Sequence, residues 1–161
     1  MAQLNQVLGD GPGPRAVSHL NRGATRPLRI IHEYGGQSTI VHDLREPLPL
    51  EDEAVDAVFA HMALCMALST KEIRTTVNEI RRVLRPGGTF IYTVRHTGDA
   101  HYGAGNPLGD DIFEHGGFAV HFFSRQLVDA LAGDWVLDDV YAFEEGDLPR
   151  RLWRVTLIKP D

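Results

Sequence analysis

The chain has 161 residues, one cysteine and a formal net charge of −6, the dimensions of a single domain that buries a core without covalent staples. A lone Cys65 excludes a disulfide framework and any multi-cysteine zinc or iron–sulfur site. No apolar run approaches the roughly 18 residues of a membrane span, no signal peptide opens the chain, and the acidic balance argues against broad nucleic-acid binding, so the expected setting is cytoplasmic.

The charge is unevenly spread. Residues 1–38 carry Arg15, Arg22, Arg26 and Arg29 against two acids, and the acidic excess lies beyond them. Leu4 to Leu8 reads as a short strand. Gly9-Asp10-Gly11-Pro12-Gly13 reads as a glycine-rich turn, and Pro14 suits the first position of a helix reaching Arg22. Leu28-Arg29-Ile30-Ile31 reads as a second strand ending in His32-Glu33.

From Thr39 onward the pattern is plainer. Thr39-Ile40-Val41-His42 is a β-branched run followed by Asp43. Pro47, Pro49 and Glu51-Asp52-Glu53 form a solvated turn. Val55 to Ala60 is a mostly apolar strand of the kind buried on both faces. Met62 to Leu68 is apolar and either starts a short helix or covers the sheet. Ser69-Thr70-Lys71-Glu72 has capping-box spacing. Behind it Ile73, Val77, Ile80 and Leu84 recur at helical intervals, and Pro86-Gly87-Gly88 stops the helix. Thr89 to Val94 is the next strand, and Arg95 to Gly117 is a polar, glycine-rich stretch. Ser124 caps a second helix carrying Leu127, Val128 and Leu131, with Gly133 as its stop. Trp135 to Phe143 and Leu152 to Lys159 are two late strands, close enough to pair as an antiparallel hairpin. Strands alternating with helices imply an α/β fold with a mostly parallel sheet covered on both faces.

The chain resembles a class I S-adenosylmethionine (SAM) dependent methyltransferase of the type 11-like group. Four segments in the right order carry the resemblance. Ile40-Val41-His42-Asp43-Leu44-Arg45-Glu46-Pro47-Leu48-Pro49-Leu50 matches the family's strand-Asp-x-x-x-Leu-Pro segment. Val55-Asp56-Ala57-Val58 matches its FDxV strand, with Val in place of Phe. Arg82-Val83-Leu84-Arg85-Pro86-Gly87-Gly88 matches its RVLxPGG turn, and the terminal hairpin matches its reversed last strand. The resemblance implies a Rossmann-like sheet ending in an antiparallel hairpin, with a well-matched core over residues 39–161 of one domain and a reduced N-terminal half over residues 1–38.

It also implies roles. Asp43 would accept a hydrogen bond from the adenine amino group, and Leu44 would cover the ring. Ala60 and His61 would line the methionine side of the cofactor. Gly9, Gly11 and Gly13 have the spacing of the cofactor loop, where a Cβ would block close approach. Glu33 stands where an acid grips the ribose hydroxyls. The pattern also departs from the family. The acid expected two residues before Gly9 is Val7, and no helix fits between Glu33 and Thr39. Two readings of this segment stay open, a compacted cofactor loop and an N-terminus unrelated to the family's first unit.

The acceptor chemistry is expected after the strand ending at Val94. His96, His101 and Tyr102 are the candidate catalytic residues, with Arg95 and Tyr102 orienting the acceptor. Transfer to a hydroxyl or amine needs a base, and histidine titrates near neutrality. A rival reading uses His96, Asp99, His101, Asp110, Asp111, Glu114 and His115 as metal ligands, from which a two-histidine, one-carboxylate set could hold Fe(II) or another divalent ion. The expected function is methyl transfer from SAM to a small-molecule acceptor, without nucleic acid or membrane. The alternative is a methyltransferase-like binding module whose apolar sheet edge recruits a second copy.

Overall fold

The computed structural model describes residues 30–34, 37–40, 42–147 and 149–161. The glycine turn of residues 9–13 lies outside them. Strand β1 (Ile30–Tyr34) pairs antiparallel with β2 (Gln37–Ile40) as a two-stranded sheet of its own. The predicted run from Thr39 therefore begins and ends two residues earlier, and His42 lies outside the strand.

The main sheet starts with β3 (Val55–His61). Residues 62–68 then form an irregular turn rather than a helix, and it buries Ala63, Leu64, Cys65 and Leu68. Helix α1 (Thr70–Val83) follows, and its capping box is complete: Ser69 Oγ accepts from the Glu72 N–H, and Glu72 accepts from the Ser69 N–H at 2.7 Å. Its apolar face, Ile73, Val77, Ile80 and Val83, is buried. Its polar face is not merely solvated. The Arg82 guanidinium donates to the carbonyls of Leu48 and Leu50, both at 2.9 Å, and to Asp52 at 2.7 Å, which straps the proline-rich turn onto the helix.

Strand β4 (Leu84–Arg95) starts directly after the helix, five residues earlier than the glycine pair suggests. It pairs in parallel with β3, and the register jumps from Val55 opposite Leu84 to Ala57 opposite Thr89, so Pro86-Gly87-Gly88 is a bulge within the strand. Three short strands follow: β5 (Asn106–Gly109), β6 (Ile112–His115) and β7 (Phe118–His121), which form a separate antiparallel sheet. Both hairpin turns are two residues long with left-handed central residues, Asp110-Asp111 and Gly116-Gly117. Such turns match the right-handed twist of their strands.

Helix α2 (Arg125–Leu131) is capped by Ser124, whose Oγ accepts from the Leu127 N–H at 3.1 Å. Strands β8 (Val136–Glu145) and β9 (Arg150–Ile158) complete the main sheet in the order β3-β4-β9-β8. Among its described pairings β3–β4 is parallel, while β4–β9 and β9–β8 are antiparallel. The parallel character predicted from the alternation of elements is thus confined, among the described residues, to one strand pair. Phe90, Tyr92, Phe123, Leu84 and Leu157 are among the side chains fully buried in the core between this sheet and the helices.

Candidate active site

The parallel pair brings two side chains to one end of the sheet. His61 is the last residue of β3 and Arg95 the last of β4. Both line a cavity of about 470 Å³. The turn after β3 contributes Met62 and Met66, and the small sheet contributes Phe113, Phe118 and Val120. Phe122, next to the end of β7, completes the apolar wall. His101, His115 and Arg150 complete the polar part, and no carboxylate lines the cavity among the described residues.

The small sheet is held over this end by specific bonds. Asp110 accepts from the Thr70 N–H and hydroxyl, which ties the β5–β6 turn to the start of α1. The His121 N–H donates to the Cys65 carbonyl at 2.9 Å, and its Nδ1–H donates to the Leu68 carbonyl at 2.7 Å. His121 is buried, so this bond also fixes its tautomer. Cys65 is buried beside it, and burial pushes its thiol up to about 11, which leaves it a protonated core residue.

Arg95 organises the polar wall. Its Nε donates to Asp99 Oδ2 at 3.1 Å and its Nη2 to Asp99 Oδ1, while the guanidinium lies over the Phe122 ring, 5.1 Å from the centroid. Asp99 is buried and also accepts the N–H groups of His101 and Arg151, each at 2.8 Å. His101 Nδ1 sits 3.1 Å from Asp99 Oδ1 and 2.8 Å from Arg95 Nη2. On the opposite wall His61 Nδ1 lies 2.7 Å from Thr93 Oγ1, and its Nε2 faces Glu145 at 3.6 Å.

The predicted residues do not all converge here. Of the acceptor candidates, His101 lines the cavity. His96 instead stacks on Trp153 with ring centroids 4.7 Å apart, and its Nδ1 accepts from the Gly98 N–H at 3.0 Å. Burial lowers its pKa, partly offset by Asp99. Tyr102 donates to Asp111 at 2.8 Å and stands edge-on to Phe113 and Phe122, backing the aromatic wall. Ala60 is buried within β3 opposite Tyr92, adjacent in sequence to the lining His61.

Asp43 and Leu44 stand away from the cavity, on the turn after β2. Asp43 accepts from the Arg45 N–H and Nε, both at 3.0 Å. Leu44 packs on the core, and its carbonyl accepts from Thr76 Oγ1 at 3.0 Å. Glu33 lies in β1 opposite Ser38, and Gly9, Gly11 and Gly13 fall outside the described residues.

The metal-ligand candidates are dispersed in the same way. Asp110 is engaged by Thr70, Asp111 by Tyr102, and Glu114 by Asn106 and the Gly117 N–H. Among the described residues no three histidine, cysteine or carboxylate side chains come together as a metal would require.

Sequence reasoning missed Arg150, His115 and the methionines as lining residues. The available signal was Gly116-Gly117 between Ile112-Phe113-Glu114-His115 and Phe118-Ala119-Val120-His121, a two-residue glycine turn between short apolar runs that marks a hairpin.

The family described as a methyltransferase domain matches residues 17–92. No curated protein matches the chain by sequence. Among solved structures, a SAM-dependent methyltransferase from Methanosarcina mazei aligns with a TM-score of 0.63 at 17% identity, over 74% of this chain and 66% of that one. A SAM-dependent methyltransferase from Mesorhizobium loti aligns with a TM-score of 0.58 at 15% identity, over 74% and 68%. The 1,6-didemethyltoxoflavin-N1-methyltransferase of Burkholderia thailandensis, solved with its acceptor and S-adenosylhomocysteine, aligns with a TM-score of 0.57 at 15% identity, over 74% of this chain and 49% of that one. This chain therefore spans between about half and two thirds of the length of these three proteins. The family match extends through most of β4, and the chain shares the fold of these S-adenosylmethionine-dependent methyltransferases beyond it.

Proposed function

We propose that the chain transfers a methyl group from SAM to a small molecule held in the cavity beside His61, Arg95 and His101. One observation carries this reading. The cavity opens at the carboxyl ends of β3 and β4, the strand ends outside which open α/β sheets hold their ligands. Its volume of about 470 Å³ falls within the range of small-molecule sites.

SAM supplies an electrophilic methyl group on a sulfonium. The chain's own groups suit it in kind. Asp43 is a carboxylate, an acceptor when ionised, and it stands beside apolar Leu44 on the turn after β2. That pairing suits an amino-bearing aromatic ring. Ala60 is small and precedes His61 at the end of β3, which suits close approach of the methionine part. Gly9, Gly11, Gly13 and Glu33 are assigned, by the family resemblance, to the cofactor loop and the ribose hydroxyls.

On the acceptor side His101 is assigned as the base. With its Nδ1–H donated to Asp99 Oδ1 at 3.1 Å, Nε2 presents a lone pair that can take a proton from a hydroxyl or amine. Asp99 stays ionised and stabilises the imidazolium that results. The competing contact is Arg95 Nη2, 2.8 Å from Nδ1, which as a donor favours the opposite tautomer. The base assignment takes the Asp99-bonded tautomer, in which Nε2 carries no proton. Tyr102 positions the aromatic wall, and His96 supports the junction of β4 with β9.

Calorimetric titration with SAM and with S-adenosylhomocysteine tests the assignment. Saturable binding of both is expected. Absence of binding at millimolar ligand to folded protein would remove the methyltransferase reading.

A further inference from the structure

We infer that the acceptor carries a carboxylate on an aromatic or bulky apolar body, and that Arg95 and Arg150 recognise that carboxylate. The inference rests on the methyltransferase reading for the word acceptor, and on the cavity alone for the ligand's chemistry.

Three features of the cavity point to an anion. Arg95 spends Nε and Nη2 on Asp99, with Nη2 also 2.8 Å from His101 Nδ1, which leaves its Nη1 with two N–H donors and no hydrogen-bond partner among the described residues. Its side chain is only 11% exposed, so those donors are held in place rather than free in solvent. Arg150, on the other side, has a loose contact with Glu145, Nη1 to Oε2 at 3.5 Å, on side chains 47% and 37% exposed. An exposed pair of that kind contributes little and is readily exchanged.

The carboxylates near the cavity are accounted for. Asp99 is sealed off, with a side chain that has no exposure, and all its contacts are to protein donors. Glu145 faces His61 and Arg150 and is not part of the lining. A protonated amine entering the cavity would meet two guanidiniums and no lining counter-charge. A single carboxylate would meet the open Nη1 of Arg95 and replace the one exchangeable partner of Arg150. Guanidinium groups suit a planar carboxylate, which accepts at two oxygens. The rest of the wall is apolar: Met62, Met66, Phe113, Phe118, Val120 and Phe122. One anionic group on an apolar body matches that division.

The α-carboxylate of SAM is the other source of the same chemistry, and the experiment separates the two. The probes are 2-naphthoate, 2-naphthamide and 2-naphthylmethylamine, titrated by calorimetry into the intact chain, alone and with saturating S-adenosylhomocysteine. Naphthoate is expected to bind at least tenfold more tightly than the amide, the amine most weakly, and saturating S-adenosylhomocysteine is expected to leave naphthoate binding in place. Arg150→Gln, an exposed position that does not threaten folding, is expected to weaken naphthoate about tenfold and leave the amide unchanged. Arg95→Lys, which keeps a charge for Asp99, is expected to do the same. Equal affinity for acid and amide, preference for the amine, or no binding of any probe at millimolar concentration overturns the inference. So does exclusion of naphthoate by S-adenosylhomocysteine, which gives the anion site to the cofactor. Naphthoate binding without SAM binding would leave the anion site standing and remove the methyltransferase reading. SAM binding with no preference for the acid would do the reverse.

Discussion

Arg95 and Asp99 form a two-point ion pair, Nε to Oδ2 and Nη2 to Oδ1, in which the carboxylate has no exposure to solvent. Through Asp99 the end of β4, the loop carrying His101 and the start of β9 are held by one side chain. Burial pushes the Asp99 carboxyl up, but the Arg95 guanidinium and the N–H groups of His101 and Arg151 outweigh it and hold the pKa at about 2. A folded-state pKa below the unfolded one stabilises the fold above the unfolded value near 4, and the contribution is lost as pH falls through about 2. Asp99→Asn leaves a buried guanidinium without its counter-charge, and a loss of about 3–5 kcal/mol is expected at pH 7 in urea denaturation. The gap between the two proteins should narrow as the pH is lowered from 4 towards 2. An unchanged gap over that range would show that Asp99 is not held ionised by these contacts.

The two histidines after β4 are expected to separate cleanly. His101→Ala should lower kcat by about 10²–10⁴, the usual contribution of general-base catalysis, with a smaller change in KM. His96 is stacked on Trp153 and bonded to Gly98, so His96→Ala should cost about 1 kcal/mol of stability and leave most of kcat. Release of S-adenosylhomocysteine, with an acceptor found by screening carboxylates, measures the first. Thermal or urea unfolding measures the second. A larger kcat loss for His96 than for His101 would reverse the assignment.

The helices and the strands of the main sheet are legible in the sequence because their signals are local. Ser69 and Glu72 announce the start of α1, and Ser124 that of α2, through caps that need no tertiary information. The small sheet is not legible in the same way. Each of its strands has four residues, too few for an alternation to stand out, and β5 is Asn106-Pro107-Leu108-Gly109, whose proline and glycine disfavour a strand. The site is half legible for a related reason. His61 and Arg95 fall at strand ends, which sequence can locate. Where His101 sits depends on which way a loop turns, and Asp99 holds that loop through contacts no spacing rule encodes. Arg150 reaches the cavity because β9 runs back along β4, so its relevance exists only in three dimensions.

The glycine pair between α1 and the rest of β4 has a physical basis that substitution can test. Gly87 has a left-handed φ of +71°, and a Cβ at Gly88 would lie 2.7 Å from the Arg85 carbonyl oxygen and 3.1 Å from that of Asp56. Gly87→Ala should cost about 1–2 kcal/mol from the backbone conformation. Gly88→Ala should cost about 1–3 kcal/mol because backbone atoms must move apart. Gly133→Ala is the control, since its nearest neighbour would be 3.7 Å away. Denaturant midpoints for the three variants test the ranking, and a Gly88→Ala protein as stable as the control would show that the bulge is not sterically required.

The proposed adenine contact of Asp43 can be tested apart from its bonds to Arg45. Its bonds to Arg45 are local and exposed, so Asp43→Ala should change stability by less than about 1 kcal/mol. A hydrogen bond from an amino group to an ionised carboxylate contributes roughly 1.5–3 kcal/mol, or about ten- to a hundredfold in affinity. Adenosine and purine riboside differ by that amino group. The native chain should prefer adenosine by about that factor in competition with SAM, and Asp43→Ala should bind the two nucleosides alike. If the preference survives the substitution, another residue reads the amino group, and the turn after β2 is not the adenine end of the site.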